Sequence, residues 1–366
     1  MAKPFFRVEM LPAKHGDALL IAYGKERTRR ILIDGGPLTA YPDVEARLKA
    51  LPMGDQGVEL LVITHVDTDH VEGIIRLLAL PEARWPIDPQ EVWFNGWRHL
   101  EEARDLGGRE GEFMSALIHK RMFDRWNTRF GGHAVRVQSD AGDRFELADG
   151  MVLTMLSPDA QALEVLLEDW RDSATDWEID PGDLDKAWDR LVEETKFHPD
   201  SELTLGPDDL TGKLRKLLKG KDPSKANGSS IGFLAEYEGK SCMFLGDAHM
   251  GVVCHSLRRL GTSAAQPLKL DAVKMSHHGS KHNITPEFFE LVDAEHFLFS
   301  SNGDKFKHPN REAVEAVIQC ARQKPTLWFN YRSDYTECWE AGSKGAGAKY
   351  RTQYPQAGEE GITIEI

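Results

Sequence analysis

The stretch LLVITHVDTDHVEGI, residues 60–74, places two histidines and two aspartates within six positions, directly after an apolar run. The apolar run predicts a buried strand, and the segment VEGIIRLLAL that follows the polar group has the spacing of a helix. The polar residues are therefore predicted to occupy a loop at the C-terminal end of a strand, where functional sites are usually built. These residues are His65, Asp67, Asp69 and His70.

The residue types in this loop favour a metal site. Imidazole nitrogens and carboxylate oxygens both bind divalent ions, and alternate positions of an extended loop can point side chains the same way. The adjacent side chains of Asp69 and His70 would diverge, which suits two metal ions better than one. Taken singly, each residue is also compatible with a turn or a solvated group. An EF-hand calcium loop fits poorly, because DTDHVEG lacks a glycine at the sixth place.

Two later segments repeat the pattern of an apolar run followed by polar residues. SCMFLGDAHM ends its run at Gly246 and Asp247, and LDAVKMSHHGSKHN ends its run at His277 and His278. Because each polar group follows a predicted strand, we expect three strand ends to meet at one edge of the fold. Asp247 and His277 are therefore candidate metal ligands together with the first loop.

The rest of the chain alternates short apolar runs with helical stretches, an order that predicts an α/β fold of packed layers. Two β-rich halves, roughly 1–158 and 227–366, are predicted, with helical insertions at about 95–132 and 159–226. We expect one domain over residues 1–366. The predicted strands are FFRVEML, ALLIAY, RRILID, LLVIT, MVLTML, IGFLAEY, SCMFLG, DAVKMS, HFLFS and TLWFN.

Composition supports a folded protein. The chain has 366 residues, of which 41% are hydrophobic, which is ample for a buried core. The N-terminal MAKPFFRVEML lacks the apolar segment of a signal peptide, and no segment approaches the roughly 20 apolar residues that span a bilayer. The four cysteines lie far apart without a CxxC pair, so neither a disulfide framework nor a zinc knuckle is indicated. These features predict a cytoplasmic protein without a membrane span.

The negative charge is concentrated in one part of the chain. The formal net charge is −14, and residues 141–210 alone contain 5 basic and 20 acidic residues. The basic segment KLRKLLKGKDPSK, residues 213–225, follows directly. The tryptophans at 170, 177 and 188 predict helices that pack on the main domain with their acidic side in water. Alternatively, the acidic part of the insertion, residues 159–210, covers a basic substrate groove or docks a protein partner.

The order of LIDGG, THVDTDH, LGDAH and SHHGS along the chain resembles that of the metallo-β-lactamase superfamily. That resemblance implies an αββα sandwich with a binuclear metal centre at one edge of its two sheets. The usual loop is HxHxDH, whereas this chain has Asp67 at the second histidine position. With HGDALLI, NGSSIGFLAEY and SNGDKFKHP, the chain resembles the metallo-hydrolase domain of ComEC-type DNA-uptake competence proteins. The resemblance covers about 5–93, 151–158 and 226–320.

The resemblance also implies a role for each polar residue. His65 and Asp67 would hold one metal ion, Asp69 and His70 the other, with Asp247 bridging them and His277 completing the second site. Asp34, in LIDGG, would orient the ligand loop without binding metal. The family usually has a further histidine between the loop and the bridging aspartate. Asn227 is nearest to it in order and His198 is a weaker candidate, so without a convincing third ligand the first site is expected to be open or loosely held.

The implied chemistry is hydrolysis by a metal-activated hydroxide. The ligand types suit zinc about as well as manganese, and two metals together lower the pKa of a bridging water. Asp69 would align that hydroxide, and His278 or His308 would deliver a proton to the leaving oxygen. Substrate or ligand-loop contacts are expected from basic or polar side chains nearby, namely Ser280, Lys281, Lys305 and Lys307.

The predicted function is that of a phosphodiesterase or nuclease acting on nucleic acid, because the resemblance to ComEC-type proteins implies a phosphodiester substrate and Asp67 favours that branch. The first alternative is a lactone, thioester or amide hydrolase of the same superfamily. The second is a regulatory or binding module, with insertions that recruit a partner and an incidental metal site. Intact candidate ligands on all three strand ends argue against the second alternative.

Overall fold

The computed structural model describes residues 3–52, 55–100, 109–138, 143–166, 182–193, 197, 224–345 and 347–366. The strands in these ranges are β1 (Phe5–Met10), β2 (Leu19–Gly24), β3 (Arg29–Ile33), β4 (Gly57–Val58), β5 (Leu60–Val62), β6 (Asp88–Pro89), β7 (Val92–Trp93), β8 (Arg144–Glu146), β9 (Val152–Ser157), β10 (Gly232–Tyr237), β11 (Lys240–Phe244), β12 (Leu268–Lys274), β13 (Val292–Phe299), β14 (Thr326–Phe329), β15 (Arg351–Gln353) and β16 (Ile362–Glu365). The helices are α1 (Tyr41–Lys49), α2 (Thr68–Ala79), α3 (Trp97–Leu100), α4 (Arg109–Met122), α5 (Leu184–Glu193), α6 (Ser224–Gly228), α7 (Met250–Arg259), α8 (Pro286–Leu291) and α9 (Arg311–Cys320). Each of the ten predicted apolar runs contains a strand.

Most strands form two large mixed sheets. The first has the order β16-β1-β2-β3-β5-β7, and the second has the order β15-β14-β13-β12-β11-β10-β9-β8. Neighbours are antiparallel at one side of each sheet and parallel at the other, where β3, β5 and β7 run together in the first sheet. In the second sheet the parallel part is β11 to β15.

The first sheet is buried on both faces at its parallel strand β5. Along β5, Leu60 and Val62 belong to the core between the two sheets, whereas Leu61 belongs to the core beneath the helices. This division follows from the strand geometry, in which successive side chains point to opposite faces. The core beneath the helices, which includes Leu61, also contains buried residues of α1, α2 and α4.

The second sheet repeats this arrangement on the other side. Phe244 of β11 lies in the core between the sheets, and its neighbour Met243 lies in a third core that includes residues of α7, α8 and α9. Two sheets therefore pack face to face and helices cover both outer surfaces. This confirms the predicted αββα sandwich.

The two β-rich halves of the sequence do not correspond one to one to the sheets. β8 and β9 lie in the N-terminal half but join the second sheet, and β16 joins the first sheet at the end of the chain. β16 pairs antiparallel with β1, with Arg7 opposite Glu365. The pairing of β16 with β1 satisfies backbone groups of β1 that would otherwise be unpaired.

The parallel strands bring several loops to one edge of the sandwich. Ile33 of β3 is opposite Val62 of β5, and Lys274 of β12 is opposite both Phe244 of β11 and Leu298 of β13. The segments that follow these five strands therefore begin at the same level. A backbone hydrogen bond of 2.9 Å from the Ile231 amide to the carbonyl of Thr64 joins the two sheets at this edge.

The described parts of the insertions are helical. Residues 95–132 contain α3 and α4, and α4 packs against α5 of the second insertion, where Trp188 is partly buried. Trp170, Trp177, His198 and most of the acidic segment 159–210 lie outside the described residues. The role of the acidic segment 159–210 as a cover over a substrate groove or as a docking surface stays a prediction. Within the described ranges, no helix combines the length and apolar character needed to cross a bilayer.

The helix α2 packs unusually closely on the segment after β3. The Gly73 amide donates to the carbonyl of Gly36 and the Gly35 amide donates to the carbonyl of His70, both at 2.9 Å. A Cβ atom at position 73 would lie 2.0 Å from the Gly35 carbonyl oxygen. We expect Gly73→Ala to lower the free energy of unfolding by about 1–3 kcal/mol, because the added methyl group must push the helix away. Urea denaturation measures this change.

Gly251 provides a matched control, since it also lies in a helix, α7, and a Cβ there would have nothing within 4 Å. Gly251→Ala should leave stability unchanged or raise it by up to about 1 kcal/mol, because alanine is the better helix former. Equal unfolding free energies of Gly73→Ala and the wild type would contradict the close packing of α2.

Candidate metal centre

Asp34 connects the end of β3 to the loop after β5. Its buried carboxylate accepts hydrogen bonds from the Thr64 amide (2.8 Å), the Thr64 hydroxyl (2.7 Å) and Nδ1 of His70 (2.8 Å). The backbone of Asp34 has a φ of 58°, in the left-handed region that aspartate tolerates better than most residues. These contacts are those expected of a residue that orients the ligand loop.

The rings of His65 and His70 are held through Nδ1. Nδ1 of His65 lies 3.0 Å from the hydroxyl of Thr64, which itself donates to Asp34, while Nδ1 of His70 donates to Asp34 directly. A histidine whose Nδ1–H is engaged in this way carries its lone pair on Nε2. Both rings therefore present a potential metal-binding nitrogen on their other side.

His277 and His278 are held in the same manner after β12. Their φ angles are 49° and 53°, left-handed values that are strained for residues with a side chain and that cluster at functional sites. Nδ1 of His277 lies 3.0 Å from the Asn283 side-chain oxygen, and Nδ1 of His278 lies 3.1 Å from the Ser300 carbonyl oxygen. Because the Ser300 oxygen accepts, Nδ1 of His278 carries the proton and its Nε2 the lone pair, while the Nδ1 contact of His277 leaves its Nε2 on the side of Asp247.

The four Nε2 atoms converge on the carboxylate of Asp247 and divide between its oxygens. Those of His65 and His277 lie 3.9 and 3.6 Å from Oδ2. Those of His70 and His278 lie 3.3 and 3.7 Å from Oδ1 and 3.2 Å from each other. Two facing lone pairs are unfavourable at such a distance unless a proton or a cation lies between them.

The residues fit a bound cation. Among the described residues, Nε2 of His65 and Oδ1 of Asp247 are buried and have no hydrogen-bond partner. A buried polar atom without a partner costs about 1–3 kcal/mol, and such atoms in native proteins call for an explanation such as an ion. Coordination of a metal ion by these two atoms would remove that cost.

The electrostatics of the site also favour a cation. Burial raises the pKa of Asp247, but His70, His278 and His277 together hold it well below its usual value. Burial lowers the pKa of His70, but the carboxylates of Asp247 and Asp34 raise it well above its usual value. The carboxylates thus draw positive charge into a buried site, and a divalent ion would supply that charge.

Asp67 and Asp69, at the start of α2, each lie near a different histidine of this cluster. Oδ2 of Asp67 is 3.7 Å from Nε2 of His65, and Oδ2 of Asp69 is 3.6 Å from Nε2 of His278. Burial raises the pKa of Asp69, but His70 and His278 bring it below its usual value, so the carboxylate is ionised at neutral pH. Asp67 therefore lies beside a histidine that faces Oδ2 of Asp247, and Asp69 lies beside one that faces Oδ1.

A further buried carboxylate, Asp17, stands behind His278. Its Oδ1 lies 3.3 Å from Nδ1 of His278, and its Oδ2 accepts a 2.6 Å hydrogen bond from the ammonium of Lys274. Potential ligand atoms of Asp17, His70, Asp247 and His278 lie within 4.8 Å of one another. Since Asp17 faces Nδ1 and is paired with Lys274, its contacts favour orienting His278 over holding an ion.

His308 also lies at the cluster. It is 7% exposed, its ring centroid is 5.2 Å from that of His277, and its Nδ1 is buried without a partner among the described residues. Burial, together with the neighbouring His278 and His277, lowers the pKa of His308 to about 3. The ring is therefore neutral near pH 7.

Three other residues singled out in the sequence have supporting contacts. The side-chain nitrogen of Asn227 lies 3.2 Å from Nδ1 of His277, on the side of the ring away from Asp247. The Ser280 hydroxyl accepts a hydrogen bond from the His282 amide. The Lys281 ammonium pairs with Glu312 at 3.1 Å, at the surface.

Sequence reasoning missed several residues that hold the histidines, chiefly Thr64, Asn283 and the pair formed by Asp17 and Lys274. Lys274 did carry a signal, because it is a single lysine within the apolar strand DAVKMS. A fully buried lysine is rare unless it is paired with a carboxylate. Asp17, its partner 257 positions earlier, has no local sequence feature that pairs it with Lys274.

Comparison with known proteins gives structural likenesses alone. No family model and no curated protein matches the chain. The metallo-β-lactamase fold protein YhfI from Bacillus subtilis is similar over 100% of both chains, with 9% identity and a TM-score of 0.40. A diphosphatase from the PhnP family is similar over 100% of this chain and 98% of its own, with 10% identity and a TM-score of 0.41. Zn²⁺-bound PqqB from Methylobacterium extorquens is similar over 98% of this chain and 100% of its own, with 11% identity and a TM-score of 0.40.

Proposed function

We propose that this chain is a hydrolase that holds two divalent metal ions and cleaves phosphodiester bonds of nucleic acid. The observation that carries the proposal is the convergence of four imidazole Nε2 atoms on the two oxygens of Asp247. A carboxylate whose oxygens face different sets of ligands can bridge two ions, which is the arrangement of two-metal hydrolases.

The distances support a division of the proposed ligands into two sets. The first set is His65, Asp67, His277 and Oδ2 of Asp247. The second set is Asp69, His70, His278 and Oδ1 of Asp247. Three carboxylates and four imidazoles in total suit zinc about as well as manganese.

This division differs from the sequence prediction at two residues. The sequence predicts His277 in the second set and a proton-delivering role for His278. The distances favour His277 in the first set, where the sequence provides no third ligand, and His278 in the second. With Nδ1 of His278 engaged by Ser300, its remaining nitrogen faces Asp247 and is better suited to coordination than to proton delivery.

The residues of the site have complementary tasks in hydrolysis. Two divalent ions, when bound, lower the pKa of a shared water and act as Lewis acids toward a phosphoryl oxygen. The ionised Asp69 can accept a hydrogen bond from the attacking water and align it. His308, neutral near pH 7, can donate a hydrogen bond to the leaving oxygen, but it holds no proton to deliver at that pH, so the predicted proton delivery would fall to water.

A cation beside the site supports an anionic substrate. The carboxylates of Asp67, Asp69 and Asp247, together with that of Asp34 behind His70, would offset the four positive charges of two divalent ions. The ammonium of Lys305 adds a positive charge at the rim, over the ring of Phe306. This ammonium can pair with a phosphodiester, which carries one negative charge, but not with a neutral lactone or amide.

A substrate panel tests the proposal. We expect protein loaded with manganese or zinc to cleave single- or double-stranded DNA, RNA or a bis-aryl phosphodiester, and to leave a lactone, a thioester and an amide intact. Elemental analysis of protein purified without a histidine tag should give close to two equivalents of metal. Treatment with a chelator should remove the activity and re-addition of metal should restore it.

Other outcomes would separate the alternatives. Turnover of the lactone, thioester or amide alone would contradict the phosphodiester proposal and favour another branch of hydrolases. No turnover of any substrate, with less than about half an equivalent of metal, would contradict the binuclear centre and favour a binding module.

A further inference from the structure

Phe306 is an exposed aromatic residue in the loop that leads from β13 to His308. It is 42% exposed, and the described residues include few other large apolar side chains that are exposed to this extent. A scattered exposed apolar residue needs no explanation, but one that adjoins a candidate site is a candidate ligand contact.

The ring of Phe306 lies close to the candidate metal centre. Its centroid is 6.1 Å from that of His308 and 5.8 Å from that of His15. The ring of His308 is in turn 5.2 Å from His277. A single imidazole therefore separates the exposed phenyl ring from a proposed metal ligand.

The loop around Phe306 is held by several hydrogen bonds. The Asn302 amide donates to the carbonyl of Lys14 at 2.8 Å, and the Lys307 amide donates to the carbonyl of Gly303 at 3.0 Å. The Ser301 amide donates to the side chain of Asn330 at 3.0 Å. An exposed ring on a constrained loop loses little conformational entropy when a ligand packs on it.

A lysine accompanies the ring. Nζ of Lys305 lies 4.6 Å from the centroid of Phe306, and within the described ranges Lys305 forms no ion pair with a carboxylate. An ammonium over an exposed ring gains only a weak cation–π attraction and remains free to move to a phosphate. An aromatic face beside an unpaired cation is the combination that binds single-stranded nucleic acid.

We propose that Phe306 stacks against an unpaired base of a single-stranded nucleic acid while Lys305 contacts its phosphate backbone. The inference rests on the proposed function and narrows it to substrates with exposed bases. Stacking accepts every base, because every base has a π face, so it contributes affinity without sequence preference. Loss of one stacking contact weakens binding about 5- to 150-fold.

Calorimetric titration of the metal-loaded protein tests base stacking on Phe306, here called the platform, independently of cleavage. The ligands are a phosphorothioate-linked oligothymidylate, which resists hydrolysis, and the same oligomer built from abasic sugars. We expect Phe306→Ala to weaken binding of the oligothymidylate about 5- to 150-fold and to leave binding of the abasic oligomer unchanged. Phe306→Trp should retain or strengthen binding of the oligothymidylate.

Phe123 is a matched control. It is 46% exposed, and the guanidinium of Arg98 lies 4.9 Å from its ring centroid, much as Lys305 lies over Phe306. Phe123→Ala should leave both affinities unchanged. An equal loss for Phe306→Ala and Phe123→Ala, or an equal loss on both oligomers, would contradict base stacking at Phe306.

Cleavage of an ordinary oligothymidylate separates this inference from the proposed function. Cleavage whose KM and kcat do not depend on Phe306 would leave the hydrolase proposal standing and overturn the platform. Binding that depends on Phe306 and on the bases, without cleavage of this oligomer or of any phosphodiester in the substrate panel, would support stacking at Phe306 and overturn the hydrolase proposal. Absence of both binding and cleavage would overturn both.

Discussion

Asp247→Asn is expected to remove bound metal and to lower kcat/KM for phosphodiester cleavage on the order of 10³-fold. The substitution keeps the shape of the side chain but removes its charge and turns one oxygen into an NH₂ group. That group would face Nε2 atoms that already lie 3.3 to 3.9 Å from the carboxylate. Elemental analysis after dialysis, together with initial rates on the preferred phosphodiester, measures both effects.

Asp149→Asn is a matched control for this substitution. Asp149 is a partly exposed aspartate that pairs with Arg29, and its φ of 57° is one that asparagine also tolerates. Its replacement should change neither metal content nor rate. Asp34→Asn should show an intermediate effect, with metal affinity lowered about 10- to 100-fold, because it orients His70 from behind. Full metal content in Asp247→Asn would rule out a bridging role for Asp247.

The layered fold could be predicted because the apolar runs and their order carry it. β5 and residues 242–244 of β11 alternate between two buried cores, so these stretches are apolar at every position. The pairing of β16 with β1 could not be predicted, because a four-residue strand at the end of the chain has no local feature that names its partner. The pairing depends on the tertiary fold, which brings this strand to the outer side of β1.

The sequence predicts which loops form the candidate site, but it does not predict how the two histidines at 277 and 278 are oriented. Asp34, His65, Asp67, His70 and Asp247 follow strands, and parallel pairing brings strand ends together. The tandem pair at 277 and 278 is different, since both residues have left-handed backbone angles that turn the two rings toward different oxygens of Asp247. Such angles depend on the tertiary hydrogen bonds that hold the turn, which sequence spacing does not reveal.

Lys274→Met is expected to lower the free energy of unfolding by about 3–5 kcal/mol, because it leaves a buried carboxylate without its cation. The side chains of Lys274 and Asp17 are 0% and 1% exposed and 2.6 Å apart. Burial raises the pKa of Asp17, but Lys274 and His278 hold it below its usual value, so the carboxylate is charged at neutral pH. Urea denaturation at neutral pH measures the loss, and a loss below about 1 kcal/mol would contradict a buried charged pair.

The double variant Asp17→Asn with Lys274→Met should recover most of this stability, because removing both charges leaves no unpaired ion in the core. It should nevertheless bind metal more weakly than the wild type, by about 10- to 100-fold, because Asp17 no longer orients His278 as a carboxylate. The pair also joins the end of β12 in the second sheet to the loop before β2 in the first. If the double variant regains both stability and metal affinity, the pair only joins the sheets; regained stability with weakened metal binding would assign Asp17 to the metal centre.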